Sequence, residues 1–121
     1  MSLIEQLSQR ELAHVVAAGT RVTVPQGWSL MWERTPADKA YLVRSGEVAI
    51  RRDGVEVARL GPGDVVGETA IVEHRLRTAT VVAATPLDVV HFTDDAVSRL
   101  CREVPAFRQA LARTVAERLG A

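Results

Sequence analysis

Residues 67–84 read GETAIVEHRLRTATVVAA, with a glycine and a carboxylate at the start and Arg77-Thr78-Ala79 after a short apolar turn. Gly67 lets the backbone approach a ligand closely, or take a conformation closed to other residues. The segment ETAIVE can form one helical turn beginning at Glu68, Thr69 and Ala70. Its first N–H groups have no partner inside the turn and suit an anion, a phosphate above all. Arg77 adds a planar fork of permanent positive charge matched to phosphate oxygens. Thr78 adds a hydroxyl, and the Ala79 amide a further donor. Glu68 cannot serve a phosphate, but it can accept hydrogen bonds from a sugar hydroxyl, as acids do when they grip ribose. A phosphate and a ribose hydroxyl held by one turn point to a small, compact nucleotide. A triphosphate would need more cations or Mg²⁺ ligands, and the chain has neither a G-x-x-x-x-G-K-[ST] loop nor a G-x-G-x-x-G.

The elements that must position these residues are strands framed by helices. Residues 2–17 carry Leu3, Ile4, Leu7, Leu12, Val15 and Val16 at nearly a helical period. Ser8 followed by Glu11 is a capping box, so a second helix starts there after a short first turn, and Gly19 ends it. From 20 to 92 the pattern changes to short alternating runs: RVTV, SLMW, AYLVR, EVAIRR, VEVARL and ATVVAA. Turn residues punctuate them at Pro25-Gln26-Gly27, Thr35-Pro36-Ala37-Asp38, Ser45-Gly46, Asp53-Gly54 and Gly61-Pro62-Gly63-Asp64. Asp53-Gly54 is a type I′ hairpin signal, since both central residues need positive φ. Strands this close together, without long helices between them, make an antiparallel sandwich or barrel. Helix returns with Thr93 as N-cap ahead of Asp94 and Asp95, and again over 106–119 behind Pro105.

With 121 residues, the chain is the size of one domain and is expected to be one over 1–121: N-terminal helices at 1–19, strands at 20–92, C-terminal helices at 93–121. Hydrophobic residues make up 47% and charged residues 25%, a globular balance. Lys+Arg and Asp+Glu both total 15, and this neutrality argues against direct nucleic-acid binding. No apolar run approaches the roughly 20 residues that span a bilayer, so no membrane contact is expected. A single cysteine, Cys101, excludes a disulfide framework and fits a cytoplasmic location; it reads as a buried helical residue. His14, His74 and His91 show no metal-ligand spacing, so no metal is expected. No serine has the context of a nucleophile, so a binding module is favoured over an enzyme.

GETAIVEHRLRTATV, residues 67–81, resembles the phosphate-binding cassette of the cyclic nucleotide-binding domain family, with the cassette itself expected over 67–80. YLVRSGEVAI resembles that family's central hairpin, LGPGDVVGE its approach to the cassette, and LDVVHFTDDAVSRL its last strand and following helix. The resemblance implies a mainly β fold, an antiparallel double-stranded β-roll (jelly roll) with an N-terminal helix and C-terminal helices. It implies that Glu68 binds the ribose 2′-hydroxyl and Arg77 the cyclic phosphate. Thr78 and the Ala79 backbone then assist at the phosphate, while Gly67, Thr69 and Ala70 form the cassette around them. The ligand implied is cAMP or cGMP, with no further cofactor. Two features depart from the pattern: EHRLR stands where many relatives have Gly or Pro, and Thr78 stands where many cAMP-binding relatives have Ala or Ser. Threonine is also found in members preferring cGMP, and it leaves the base undecided.

In the family the last helix leads to an output domain. This chain ends at Leu119-Gly120-Ala121, and the expectation is a sensor excised from a larger signalling or transcription-regulating protein, with its effector domain missing. The stripe of Phe107, Leu111 and Val115 must be covered, by the β-roll or by the same helix of a second copy in a homodimer. Trp28 and Trp32 read as core or rim packing on one strand, and the glycines at 46, 54, 61 and 63 as turn positions. The alternative function is a structural or protein-interaction module of the same fold that binds no nucleotide.

Overall fold

The structure is a computed structural model that describes residues 2–67 and 76–120, with side chains described as far as 114 in the last helix. A 3-10 turn, Ile4–Gln6, precedes helix α1, Gln9–Ala17. Ser8 caps α1 through the capping box: Glu11 N–H donates to Ser8 Oγ at 3.1 Å and Ser8 N–H to Glu11 Oε1 at 2.8 Å. Among the described residues, eight strands follow: β1 (Thr20–Val24), β2 (Ser29–Met31), β3 (Lys39–Ser45), β4 (Val48–Arg52), β5 (Val55–Leu60), β6 (Val65–Val66), β7 (Thr80–Ala83) and β8 (Leu87–Thr93). Helices α2 (Asp94–Glu103) and α3 (Pro105–Gly120) close the chain. Thr93 Oγ1 caps α2 by accepting from Ala96 N–H at 3.1 Å, beside Asp94 and Asp95 at the positive end of the helix.

Two four-stranded antiparallel sheets result, ordered β1-β8-β3-β6 and β2-β7-β4-β5. The mainly β fold with flanking helices is the one expected. Period-two alternation sorts β3, β6 and β8 of the first sheet between two cores. Ala40 and Leu42 of β3, Val65 of β6, and Val90 and Phe92 of β8 face outward. There they meet Leu3, Val15 of α1, Ala96, Val97 and Leu100 of α2, and Phe107, Ala110 and Leu111 of α3. Tyr41, Val43, Val66, Leu87 and Val89 face inward, against Leu30, Met31, Val48, Val81 and Ala83 of the second sheet. Strands β3 and β8 are thus covered on both faces, which is why AYLV and VVHF read as nearly unbroken apolar runs. Phe107 and Leu111, each 2% exposed, are covered within the chain itself.

Several expectations are corrected. Trp28 and Trp32 are 65% and 61% exposed, so neither is core, and both lie outside β2, which ends at Met31. The ladder of β2 with β7 shifts register between Ser29 and Met31, which defeats a simple alternation count across SLMW. Cys101 is only partly buried. The short strand β6 lies inside LGPGDVVGE, the approach to the cassette, where the sequence pattern assigns no strand. Its two residues pair with Tyr41 and Leu42 and direct the chain to Gly67. Asp53 and Gly54, at φ 52° and 80°, form the tight turn expected between β4 and β5.

Candidate functional site

Val66 leaves the inter-sheet core and the next residue, Gly67, turns with φ 90°. That value favours glycine, and so does the space: a Cβ there would stand 2.6 Å from Arg77 Nη1, 2.9 Å from Met31 Cε and 3.0 Å from the Lys39 carbonyl oxygen. The crowding is produced by Arg77. Its side chain is 2% exposed, reaches back across the end of the first sheet, and donates from Nη1 to the Gly67 carbonyl at 2.7 Å and from Nη2 to the Lys39 carbonyl. The Asp38 carboxylate, 73% exposed, stands 3.8 Å from Nη2. Burying a guanidinium is costly unless its N–H groups are satisfied, and main-chain carbonyls do this without cancelling its charge. The result is a permanent cation held at a fixed place, with a planar fork whose geometry suits phosphate oxygens.

Arg77 lies just before β7, outside any assigned strand. Its backbone is nonetheless fixed in a strand-like manner: Arg77 N–H donates to the Thr35 carbonyl, and Arg34 N–H donates to the Arg77 carbonyl, both at 2.8 Å. Three residues on, Thr80 Oγ1 accepts from Glu33 N–H at 3.1 Å. Residues 33–35 and 77–80 thereby prolong the β2–β7 ribbon past its assigned end. Thr78 points to solvent, whereas Ala79 is buried at 9% exposure.

Of the residues expected at the site, Gly67 and Arg77 are brought together, and Thr78 and Ala79 follow directly along the chain. Glu68, Thr69 and Ala70 lie outside the described residues, as does His74. Lys39, Asp38, Met31 and Tyr41 were missed. Lys39 contributes a main-chain oxygen, for which no side-chain type is a signal, and Asp38 reads in the sequence as turn punctuation. Tyr41 faces inward beneath this corner, its ring 5.4 Å from that of His91, its partner across the β3–β8 ladder. Burial pushes the Tyr41 phenol above its usual range; the Arg77 charge pulls it back and the Asp38 charge pushes it up. Among the described residues, no three His, Cys, Asp or Glu side chains are grouped to hold a metal ion, and no helix is long and apolar enough to cross a membrane.

A β-roll flanked by helices, with a buried arginine set against a tight glycine turn, defines a class of ligand-binding regulatory domain. Residues 21–104 match the cyclic nucleotide-binding domain, and the chain belongs to that family. Over 119 residues, 98% of its length, it is 30% identical to a cyclic nucleotide-gated potassium channel of Mesorhizobium japonicum. The crystal structure of the Thermus thermophilus catabolite activator protein matches 97% of the chain with a TM-score of 0.85 at 27% identity. The regulatory domain of Toxoplasma gondii PKA, crystallised with cAMP, matches 81% with a TM-score of 0.70 at 28% identity. The chain spans 33% of the channel, 57% of the activator chain and 39% of the PKA regulatory-domain chain.

Proposed function

We propose that the chain is a cyclic nucleotide sensor that binds cAMP or cGMP without catalysing a reaction, and that it regulates a cytoplasmic effector belonging to a larger protein. The observation that carries this is the buried Arg77 guanidinium packed against Gly67, at the positions where the family pattern puts its phosphate-binding arginine and cassette glycine. The kinase relative crystallised with cAMP and the nucleotide-gated channel support the ligand class, and the greater length of both supports an effector elsewhere. In this reading Glu68 takes the ribose hydroxyl, Thr69 and Ala70 complete the cassette, and Ala79 N–H and Thr78 Oγ1 join Arg77 at the phosphate. Thr78 is exposed, and in this reading its hydroxyl is also the group that would meet a guanine amino group, so both nucleotides belong in the titration.

Calorimetry of the wild type and Arg77→Ala against cAMP and cGMP tests the reading. Each charge-assisted hydrogen bond lost is worth roughly 1.5–3 kcal/mol, so the variant should bind about ten- to a hundredfold more weakly. Equal affinity removes the phosphate site.

A second reading, a module of this fold that binds no nucleotide, draws support from the same arginine. The Gly67 and Lys39 carbonyls already engage its guanidinium, which gives Arg77 a structural task without any ligand. Thermal melting with and without millimolar cAMP or cGMP separates the two, since a ligand that binds only the folded state raises Tm. No shift with either nucleotide favours the second reading. A homodimer through α3 would have to use positions other than Phe107 and Leu111, which the chain already covers. Sedimentation at micromolar concentration reads this directly.

A further inference from the structure

Among the described residues, two that are not glycine have positive φ: Arg34 at 66° and Asp53 at 52°. They are neighbours in space. Arg34 Nη2 donates to Asp53 Oδ1 at 2.8 Å, and Asp53 N–H donates to Glu33 Oε1 at 3.1 Å. Glu33 Oε2 lies 3.9 Å from the same Arg34 nitrogen. One end of this cluster is the tip of the β4–β5 hairpin. The other end is the backbone of the site, because Arg34 N–H donates to the Arg77 carbonyl and Glu33 N–H to Thr80 Oγ1. A side chain in the left-handed region persists where its surroundings over-determine it, and such positions gather at ligand clamps. Here both belong to one latch.

We infer that Arg34 is a positioning residue for Arg77. Its main chain fixes the Arg77 backbone, its side chain ties that backbone to the hairpin tip at Asp53, and the hairpin and the phosphate-binding segment therefore move as one unit. The inference rests on the reading of Arg77 as the phosphate-binding residue. The latch is exposed, so its effect is modest: an exposed pair of this kind changes affinity between about two- and fivefold.

The test uses the wild type, Asp53→Gly, Arg34→Gly and Arg34→Lys. Glycine takes positive φ at either position without strain, so both glycine variants keep the backbone path and the bond from the residue 53 N–H to Glu33 while removing the Arg34–Asp53 pair. Amide hydrogen exchange is read first, without ligand, and calorimetry with cAMP and cGMP second. Asp53→Gly should accelerate exchange of the Arg77 amide, on the far side of the latch, and weaken nucleotide binding two- to fivefold. Arg34→Gly should do the same, while Arg34→Lys, which keeps a cation for Asp53, should stay near the wild type in both readouts. Unchanged exchange at Arg77 in Asp53→Gly overturns the inference, as does unchanged affinity. A wild type that binds neither nucleotide overturns the sensor reading, whereas the coupling of Arg34 to the Arg77 backbone stands or falls on exchange measured without ligand. The ligand-free exchange result shows which of the two has failed.

Discussion

The two sides of the first sheet do different work. Its outer face, with Leu42, Val90 and Phe92 under three helices, is dry and continuous. Its inner face, with Tyr41, Val66 and Val89, meets the second sheet and ends at the corner where Gly67 and Arg77 touch. On the outer side, apolar area sets the energy and each residue contributes by being covered. At the inner corner, a few polar atoms set the geometry and little area is involved. The outer face thus serves stability alone, whereas the inner face combines an inter-sheet core with the corner to which the proposed function assigns recognition, and substitutions should separate the two tasks.

The largest effect belongs to the outer face. Phe92→Ala should cost about 3–5 kcal/mol and lower Tm in calorimetry by more than about 10 °C. At a temperature where the variant remains folded, its nucleotide affinity should stay close to the wild type. A large affinity loss in the folded variant would break the division between the faces.

Gly67→Ala should act at the corner instead. Positive φ and the 2.6 Å approach to Arg77 Nη1 leave no room for a methyl group, and the arginine must shift. Titration should show at least about a tenfold loss of affinity, or about 1.4 kcal/mol, with Tm falling much less than for Phe92→Ala.

An alkaline titration sharpens the same contrast. Tyr41 is the chain's single tyrosine, so its ionisation can be followed by absorbance without interference. Its phenol is pushed up by burial, and the neutral form is the one the fold favours. The stability this contributes is fully present below the unfolded value of about 10. It is lost as pH rises through the folded value. Unfolding midpoints measured above pH 10 should fall for the wild type and fall less for Tyr41→Phe.

Two smaller effects complete the series. Asp38→Asn removes an anion 3.8 Å from the Arg77 guanidinium and should tighten nucleotide binding about two- to fivefold, less so in high salt. Arg21→Ala removes an exposed pair with Asp88 at 2.7 Å, on a strand remote from Gly67. It should change stability by under about 1 kcal/mol and leave affinity unchanged.

The parts legible in the sequence were those written in local chemistry. The Ser8–Glu11 box, the Thr93 cap and the Asp53-Gly54 turn each announce themselves within four residues, and alternation exposed the strands. Arg77 and Gly67 were legible as residue types at a spacing. Lys39 was not, because its contribution is a carbonyl, which every residue has. Trp28 and Trp32 misled, because apolar size predicts burial only where the register is known, and the ladder slips between Ser29 and Met31. Arg34 gave no signal at all: its φ is imposed by partners at 53 and 77, far away along the chain.

The pairing of β1 with β8 has a consequence in time. Thr20 finds His91, and Val24 finds Leu87, only when nearly the whole roll has been made. A chain emerging from the ribosome must therefore hold its first strand unpaired until the last is available. Closing so long a loop is slow compared with forming local hairpins such as β4–β5. The newborn domain should become protease-resistant in one late step once β8 has cleared the exit tunnel, rather than by gradual growth from its first strand.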